Sequence, residues 1–458
     1  MVADLVEELG RLTAPERVLR EPEDLYCYSY DGTGLEERPA VVVSPKTTDE
    51  VVRVVRFAHT RRIPIVARGA GSGLSGGSIP TARAIALNLA MMNRIKEIDE
   101  TNLVAVVEPG VVTATLQAAV ERRRLFYPPD PASLKQSTIG GNVAECAGGP
   151  RCLKYGVTKD YVLGLEVVLA DGQVIRTGGK SVKNVTGYNL TQLFVGSEGT
   201  LGIITEVTLR LIPLPPAKRT AMAVFASIDQ ASEAVTAIFT QGILPATIEM
   251  MDNTTIRTVE DLLRMGLPVE AEAILLIEAD GDPDGVERQI QAVEKVCRLA
   301  GATSTRVAHS AAENEQLWTA RRAVSPSLAR LKPNKLGEDV AVPRGMIPAM
   351  VRRIGEIARR HDVIIAIFGH AGDGNLHPNI LYDKRDPHEV ERVERAAAEI
   401  FAAAVELGGT LSGEHGIGLA KKEFMPLALS PETLGLMRTI KATLDPYGIL
   451  NPGKVFPS

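Results

Sequence analysis

From Pro39 to Leu211, short apolar runs alternate with stretches whose apolar residues recur at helical spacing. Runs rich in aliphatic and β-branched residues, bounded by turn residues, predict strands at Ala40–Ser44, Ile63–Ala67, Ala84–Leu89, Val104–Val107, Leu165–Ala170 and Ile203–Leu211. Helical periodicity predicts a helix capped at Thr48 and running to about Arg62, and another over Thr113–Arg124. Pro213–Pro216 then reads as a linker, because proline donates no backbone hydrogen bond and breaks helix and ladder alike. Beyond it, strands at Ala221–Ala226, Ala246–Met251, Ala273–Glu278 and Val340–Pro343 alternate with helices. Those helices are Gln230–Gln241, Gly285–Ala300, Glu313–Arg330, Ile347–Arg360 and Pro387–Leu407. The pattern predicts an α+β chain in three parts: a first domain over 1–216, a second over 217–410, and a segment 411–458 with a glycine turn, a helix and a proline-punctuated tail.

Composition narrows the classes of function. The 458 residues carry 45% hydrophobic and 23% charged residues, as a globular chain with more than one core does. The net charge of −5, with acids and bases interspersed, leaves no footprint for a polyanion and argues against nucleic acid as a partner. The first twenty residues mix acids into an amphipathic pattern, unlike a secretory signal. The apolar run around Val363–Phe368 is too short to span a bilayer. Cys27, Cys146, Cys152 and Cys297 fit neither an iron–sulfur nor a zinc spacing, so any iron–sulfur relay must lie in another protein.

Three glycine-rich stretches stand out: Arg68–Gly77, Ser137–Ala144 with Gly148-Gly149 beyond it, and Gly196–Gly202. In the first, Gly71, Gly73 and Gly76 satisfy G-x-G-x-x-G after a strand. A dinucleotide fold of the nicotinamide type needs a helix immediately afterwards, whereas here Ser78, Pro80 and another strand follow. Such loops instead offer bare backbone N–H groups to phosphates. Three in one region predict a long, phosphate-bearing ligand lying across the domain.

The segments Ile65–Gly77, Pro128–Pro131, Ser137–Pro150 and Gly196–Val207 resemble the FAD domain of the vanillyl-alcohol oxidase (PCMH-type) flavoprotein superfamily. The nearest group is that of glycolate oxidase flavoprotein subunits and D-lactate dehydrogenases, and the resemblance covers nearly the whole chain. It implies that Arg68, Gly69, Ala70, Gly71, Ser72, Gly73, Leu74 and Ser75 hold the FAD pyrophosphate. Pro129, Asp130, Pro131, Ser133, Ser137, Gly140, Gly141 and Asn142 would line the flavin and its ribityl chain, with Tyr155 and Gly156 close by. Glu198, Gly202 and Ile204 would hold the adenosine end, and Asn451 would return the C-terminal segment to the FAD domain. Some relatives attach flavin through a histidine in the first loop. This loop has no histidine or cysteine, so FAD is expected to be noncovalent. Cys146 stands where relatives often have asparagine.

The densest polar cluster is Gly369–Asn379. With Asp373-Gly374 as a two-residue hairpin tip, His370 and His377 fall directly opposite each other on one face. Their Cβ atoms would then be about 4.5–5.5 Å apart. Two imidazoles so placed either share a metal or form a hydrogen-bonded pair that stabilises the turn. Ser412-Gly413-Glu414-His415-Gly416 adds a carboxylate between glycines, completing a two-histidine, one-carboxylate set suited to zinc, manganese or iron. The resemblance assigns His370, His377 and Glu414 as metal ligands. It also places a carboxylate-binding arginine, Arg321, three residues after the sole tryptophan, Trp318, and a substrate contact at Asn379. Arg322 follows where many relatives have glutamate. Ser325 and Lys335 are candidates for reading a longer acid.

The expected enzyme is therefore an FAD- and metal-dependent dehydrogenase of a small 2-hydroxy acid, glycolate or D-lactate before D-2-hydroxyglutarate. Hydride passes to flavin N5 and the proton to His415, which also touches the substrate. Electrons leave to a protein or quinone acceptor, with an iron–sulfur subunit as candidate partner. The chain is expected in the cytoplasm, peripherally associated with a membrane through that partner. The competing readings are a metal-dependent hydrolase and an electron-transfer subunit without its own substrate.

Overall fold

The computed structural model describes residues 2–458. It divides into two compact units. The first comprises Met1–Gly148, Val157–Leu214 and Glu414–Ser458; the second comprises Gly149–Gly156 and Pro215–Gly413.

In the first unit, Val41–Val43 and Ile65–Arg68 flank Ile85–Asn88 in parallel, with Val18–Leu19 added antiparallel at the edge. All three parallel strands are short and aliphatic, as burial on both faces requires. The helix Thr48–Arg61 packs Val51, Val54, Val55 and Ala58 against them. Its cap is Thr47, whose hydroxyl accepts the Glu50 N–H, one residue earlier than expected. A second, antiparallel sheet runs in the order Ile95–Asp99, Val104–Val107, Ile203–Arg210, Val162–Val168, Val174–Gly178. Ile95–Asp99 and Val174–Gly178 were not foreseen; as edge strands whose residues are nearly all exposed or half-buried they carry little apolar signal. Part of the expected linker is ordered, since Ile212–Pro213 pairs with Leu125–Phe126.

The second unit is built on one antiparallel sheet. Its order is Ala302–Val307, Ala217–Phe225, Ala273–Gly281, Thr247–Asp252, Ile364–His370, Asn375–Tyr382, Asn334–Gly337, and Val340–Ala341 pairs beside Asn375–Tyr382. Helices Ile228–Thr240, Pro283–Leu299, Ile347–His361 and Pro387–Glu406 agree closely with the periodicity. The expected helix Glu313–Arg330 is two, Ala311–Arg322 and Val324–Leu328, and Pro326 explains the break, because it has no N–H to donate to the Arg322 carbonyl and sits in the first turn of the second helix. Asn253–Leu263 is a helix that the sequence reading missed, capped by the Asp252 carboxylate, which accepts the Thr255 N–H. Among the described residues no helix is long and apolar enough to cross a membrane.

Candidate active site

In the first unit the three glycine-rich stretches meet at one cleft with about 1310 Å³ of open space. Each reaches it differently. Strand Ile65–Arg68 ends in a loop whose Gly71 and Gly76 adopt φ of +68° and +79°, a region costly for other residues. The Arg68 side chain turns back into the unit. Its guanidinium donates to the Tyr30 carbonyl at 2.7 Å, lies 5.9 Å over the Tyr28 ring, and is drawn below its usual pKa by burial. The second stretch is not a loop: Ile139–Glu145 is a short helix whose cap, Thr138, accepts the Gly141 N–H. The four-residue spacing of Ile139 and Val143, both buried, was the available sign. Glu198, in the third, adopts φ +51° and its carboxylate accepts the Ile417 and Gly418 N–H groups at 2.8 and 2.7 Å.

Of the residues expected to hold cofactor, the lining includes Arg68 through Leu74, Pro131, Ser133, Ser137, Gly140, Gly141, Asn142, Glu198, Gly202 and Ile204, joined by Glu414 and His415. Ser75, Pro129, Asp130 and Asn451 stand outside that lining. The Ser75 carbonyl accepts the Leu419 and Ala420 N–H groups, and the Pro129 carbonyl accepts the Gln117 amide. The Asn451 amide donates to the Gly77 and Glu198 carbonyls at 2.8 and 2.7 Å, tying the tail to two glycine segments. Tyr155 and Gly156 belong to the second unit, where the Tyr155 hydroxyl donates to Asp280 at 2.7 Å.

Two neighbouring glycines test whether the cleft suits a long ligand. A Cβ on Gly140 would stand 2.5 Å from that of Pro109, so packing within the chain requires glycine there. A Cβ on Gly141 would meet nothing closer than the Thr138 hydroxyl at 3.4 Å, and one on Gly73 nothing closer than Glu145 at 3.7 Å. Glycine at these two positions keeps the cleft open, and the bare backbone fits FAD. The electrostatics are set by burial. Glu145 on the lining is pushed well above the usual carboxyl range by burial and then by Glu198, while burial brings Lys454 down to about 8. Cys146 caps the helix at φ +55°, a conformation asparagine tolerates well, and burial raises its thiol pKa.

The second unit assembles side chains instead. The hairpin register corrects the sequence reading: Phe368 pairs with His377 and His370 with Asn375, so the loop is Ala371–Gly374 rather than two residues. The Asp373 and Gly374 N–H groups both bond the His370 carbonyl, closing this wider turn. His370 and His377 are therefore diagonal neighbours, not directly opposed. Because Phe368 and His370 share a face, the imidazoles still converge, with centroids 5.0 Å apart and planes at 88°. Each has a carboxylate beside it. Glu249 Oε1 lies 2.5 Å from His370 Nδ1, and Asp339 Oδ1 lies 3.9 Å from His377 Nδ1.

Glu249 Oε2 also accepts the Arg321 Nε–H at 2.6 Å, while the Arg321 guanidinium lies 4.8 Å over Phe368. Burial opposes the ionised Glu249, but His370 and then Arg321 outweigh it and hold the carboxyl below its usual range. Asn379 is buried, and its amide donates to the His377 carbonyl at 2.9 Å. Lys335 bonds the Ser325 hydroxyl at 2.5 Å, its pKa lowered by burial. A buried histidine pair and a carboxylate such as that of Glu414 make the donor chemistry of a metal site, with His370 oriented from behind by Glu249; Asp339, at 3.9 Å, is beyond hydrogen-bond distance of His377 Nδ1. The chain is also pinned where it leads to Glu414, since Ser412 donates to Asp339 Oδ2 at 2.6 Å and the Gly413 N–H to the Asp339 carbonyl.

Sequence reasoning missed Glu249 and Asp339. Glu249 did leave a sign: an acid inside the apolar run Ala246–Met251 must find a partner if the strand is buried.

Comparison with known proteins identifies the family. Residues 39–178 match the FAD binding domain family, and residues 214–455 match the family of FAD linked oxidases, C-terminal domain. The chain is 49% identical to "Glycolate oxidase subunit GlcD" of Bacillus subtilis (strain 168), over 99% of this chain and 97% of that one. It is 35% identical to "D-lactate dehydrogenase" of Anaerostipes hadrus, over 99% and 97%. Among solved structures, 4-ethylphenol oxidase from Gulosibacter chungangensis aligns with a TM-score of 0.80 at 23% identity, over 100% of this chain and 97% of that one, which shows a shared fold.

Proposed function

The chain belongs to the FAD-linked oxidase family and is an FAD-dependent hydroxy-acid oxidoreductase, and from that premise we propose that it oxidises glycolate or D-lactate to the 2-oxo acid with the aid of one divalent metal. The observation that carries this reading is the shared support of His370 and Arg321 by Glu249. A substrate with a hydroxyl beside a carboxylate calls for a metal ligand and a fixed cation held together. In this reading His370, His377 and Glu414 hold zinc, manganese or iron. The glycine-lined cleft holds FAD noncovalently, with its pyrophosphate along Arg68–Ser75.

When bound, FAD supplies the hydride acceptor at N5 and the metal acidifies the substrate hydroxyl. Arg321 binds the substrate carboxylate through its terminal nitrogens, because its Nε is engaged by Glu249. Asn379 contacts the substrate from the strand that carries His377. His415 accepts the hydroxyl proton. Electrons then leave to a partner protein or quinone; the four cysteines lack the spacing of an iron–sulfur site, and the Bacillus relative is named as a subunit, which supports an external relay. A second substrate, a 2-hydroxy diacid such as D-2-hydroxyglutarate, is favoured by Lys335, a second cation on the strand paired with that of Asn379.

The test is anaerobic reduction of the bound flavin by enantiopure 2-hydroxy acids. Glycolate or D-lactate should bleach it and L-lactate should not. Bleaching by D-2-hydroxyglutarate alone selects the diacid, and no bleaching by any of them sinks the proposal. Reoxidation by dioxygen as fast as turnover would remove the need for a partner.

A further inference from the structure

We propose that Glu249 is a positioning residue that couples the metal ligand His370 to the substrate anchor Arg321, so that a change at either is felt at the other. The inference rests on the roles given to those two residues above.

Glu249 lies in Thr247–Asp252, an interior strand of the second unit's sheet, with Met250 opposite Gly369 and Met251 opposite Phe368. Its side chain has no solvent exposure. A carboxylate in such a place needs hydrogen-bonded partners for both oxygens, and it has one charged or polar partner on each: His370 Nδ1 at 2.5 Å and Arg321 Nε at 2.6 Å. The two partners come from different elements, the hairpin strand Ile364–His370 and the helix Ala311–Arg322. No shorter path of hydrogen bonds is needed to join them.

Three consequences follow from ordinary hydrogen-bond chemistry. His370 donates from Nδ1, which leaves the Nε2 lone pair as the ligand atom. Arg321 spends Nε on Glu249 and keeps its terminal edge for the substrate, with the Phe368 ring under the guanidinium fixing its plane. Phe368 is in turn the cross-strand partner of His377. Finally, the two donors compete for one negative charge. A carboxylate drawn toward Arg321 is a poorer acceptor for the His370 N–H, and a poorer acceptor makes the imidazole a weaker ligand.

This competition gives opposite signs for two variants, which a merely structural role would not. Metal affinity is read on FAD-loaded protein by competition with a chelator. Glu249→Gln should lower it by about 10–100-fold, the usual effect of losing a group behind a metal-bound histidine. Arg321→Met should raise it by at least about twofold, while raising KM for the 2-hydroxy acid. In the Glu249→Gln background Arg321→Met should have no further effect on metal affinity. Unchanged affinity in Glu249→Gln, or additive effects in the double variant, overturns the coupling. If Glu249→Gln yields no folded protein, Arg321→Met decides alone, and unchanged or weaker metal binding is the adverse result. His377→Ala separates this inference from the reading it rests on. Full metal occupancy in His377→Ala defeats the metal site itself, whereas metal lost there but kept in Glu249→Gln defeats only the coupling.

Discussion

The first unit presents its cleft largely as backbone, whereas the second builds its site from side chains brought together across a sheet. At Gly73 and Gly141 the cleft is open because a side chain is missing, and nothing in the surrounding packing asks for glycine. In the second unit Glu249, Arg321, His370 and His377 stand on three strands and a helix and depend on one another's charges. The difference teaches how each site carries its information. A backbone-lined site is written in consecutive residues, because successive N–H groups must be adjacent in the chain. A side-chain site is written in pairs as far apart as Glu249 and His370, separated by 121 residues.

His415 is the strongest challenge to this contrast, an imidazole on the backbone-lined cleft that is proposed above as the base. His415→Ala should slow flavin reduction in a single turnover by about 10²–10⁴-fold, the range for a lost general base, while FAD content stays constant. An unchanged rate would make His415 a structural neighbour.

The mutual dependence of side chains in the second unit extends to Asp252, whose Oδ2 accepts the Ile367 N–H on the strand leading to His370. Burial raises this carboxyl from 3.8 to about 6. With the folded value above the unfolded one, the protonated form contributes stability that is complete below pH about 4 and is lost as pH rises through about 6. That difference is worth up to about 3 kcal/mol. The Tm advantage of the natural protein over Asp252→Asn should therefore shrink between pH 4 and 7, and a flat difference would contradict the assignment.

Arg321→Ala should weaken binding of the 2-hydroxy acid by about 1.5–3 kcal/mol, as expected for a hydrogen bond to a charged group. The flavin spectrum should be unaltered, since FAD is held by the first unit. Substrate titrations monitored by flavin reduction measure both.

The smallest effects sharpen the backbone half of the comparison. Gly140→Ala drives a methyl into Pro109 and should lower Tm. Gly141→Ala should instead gain up to about 1 kcal/mol of helix propensity in the FAD-free protein and loosen FAD. Apoprotein Tm and FAD Kd for the two variants give the comparison; tighter FAD binding in Gly141→Ala would show that this glycine does not face the ligand.

The legible part of the molecule follows from the same physics. The interior strands and the long helices of the second unit were readable because burial imposes a period on the sequence, as in Ile347–His361 and Pro387–Glu406. The G-x-G-x-x-G loop could be separated from a nicotinamide site because Pro80 and a strand follow it. By itself, then, the sequence determined the α+β class, the glycine stretches that line the cleft, and a histidine hairpin. It did not determine the hairpin's register, because a two-residue tip and a four-residue loop share the residues Asp373-Gly374, and only the closure of Gly374 N–H on the His370 carbonyl decides. Nor did it find the edge strands Ile95–Asp99 and Val174–Gly178, where exposed and half-buried positions leave no apolar period. Above all, it did not name the partners of His370 and Arg321. Any of many acids would serve in local terms, and it is the burial of one interior strand that leaves the Glu249 carboxylate no water and so commits both its oxygens to those two residues.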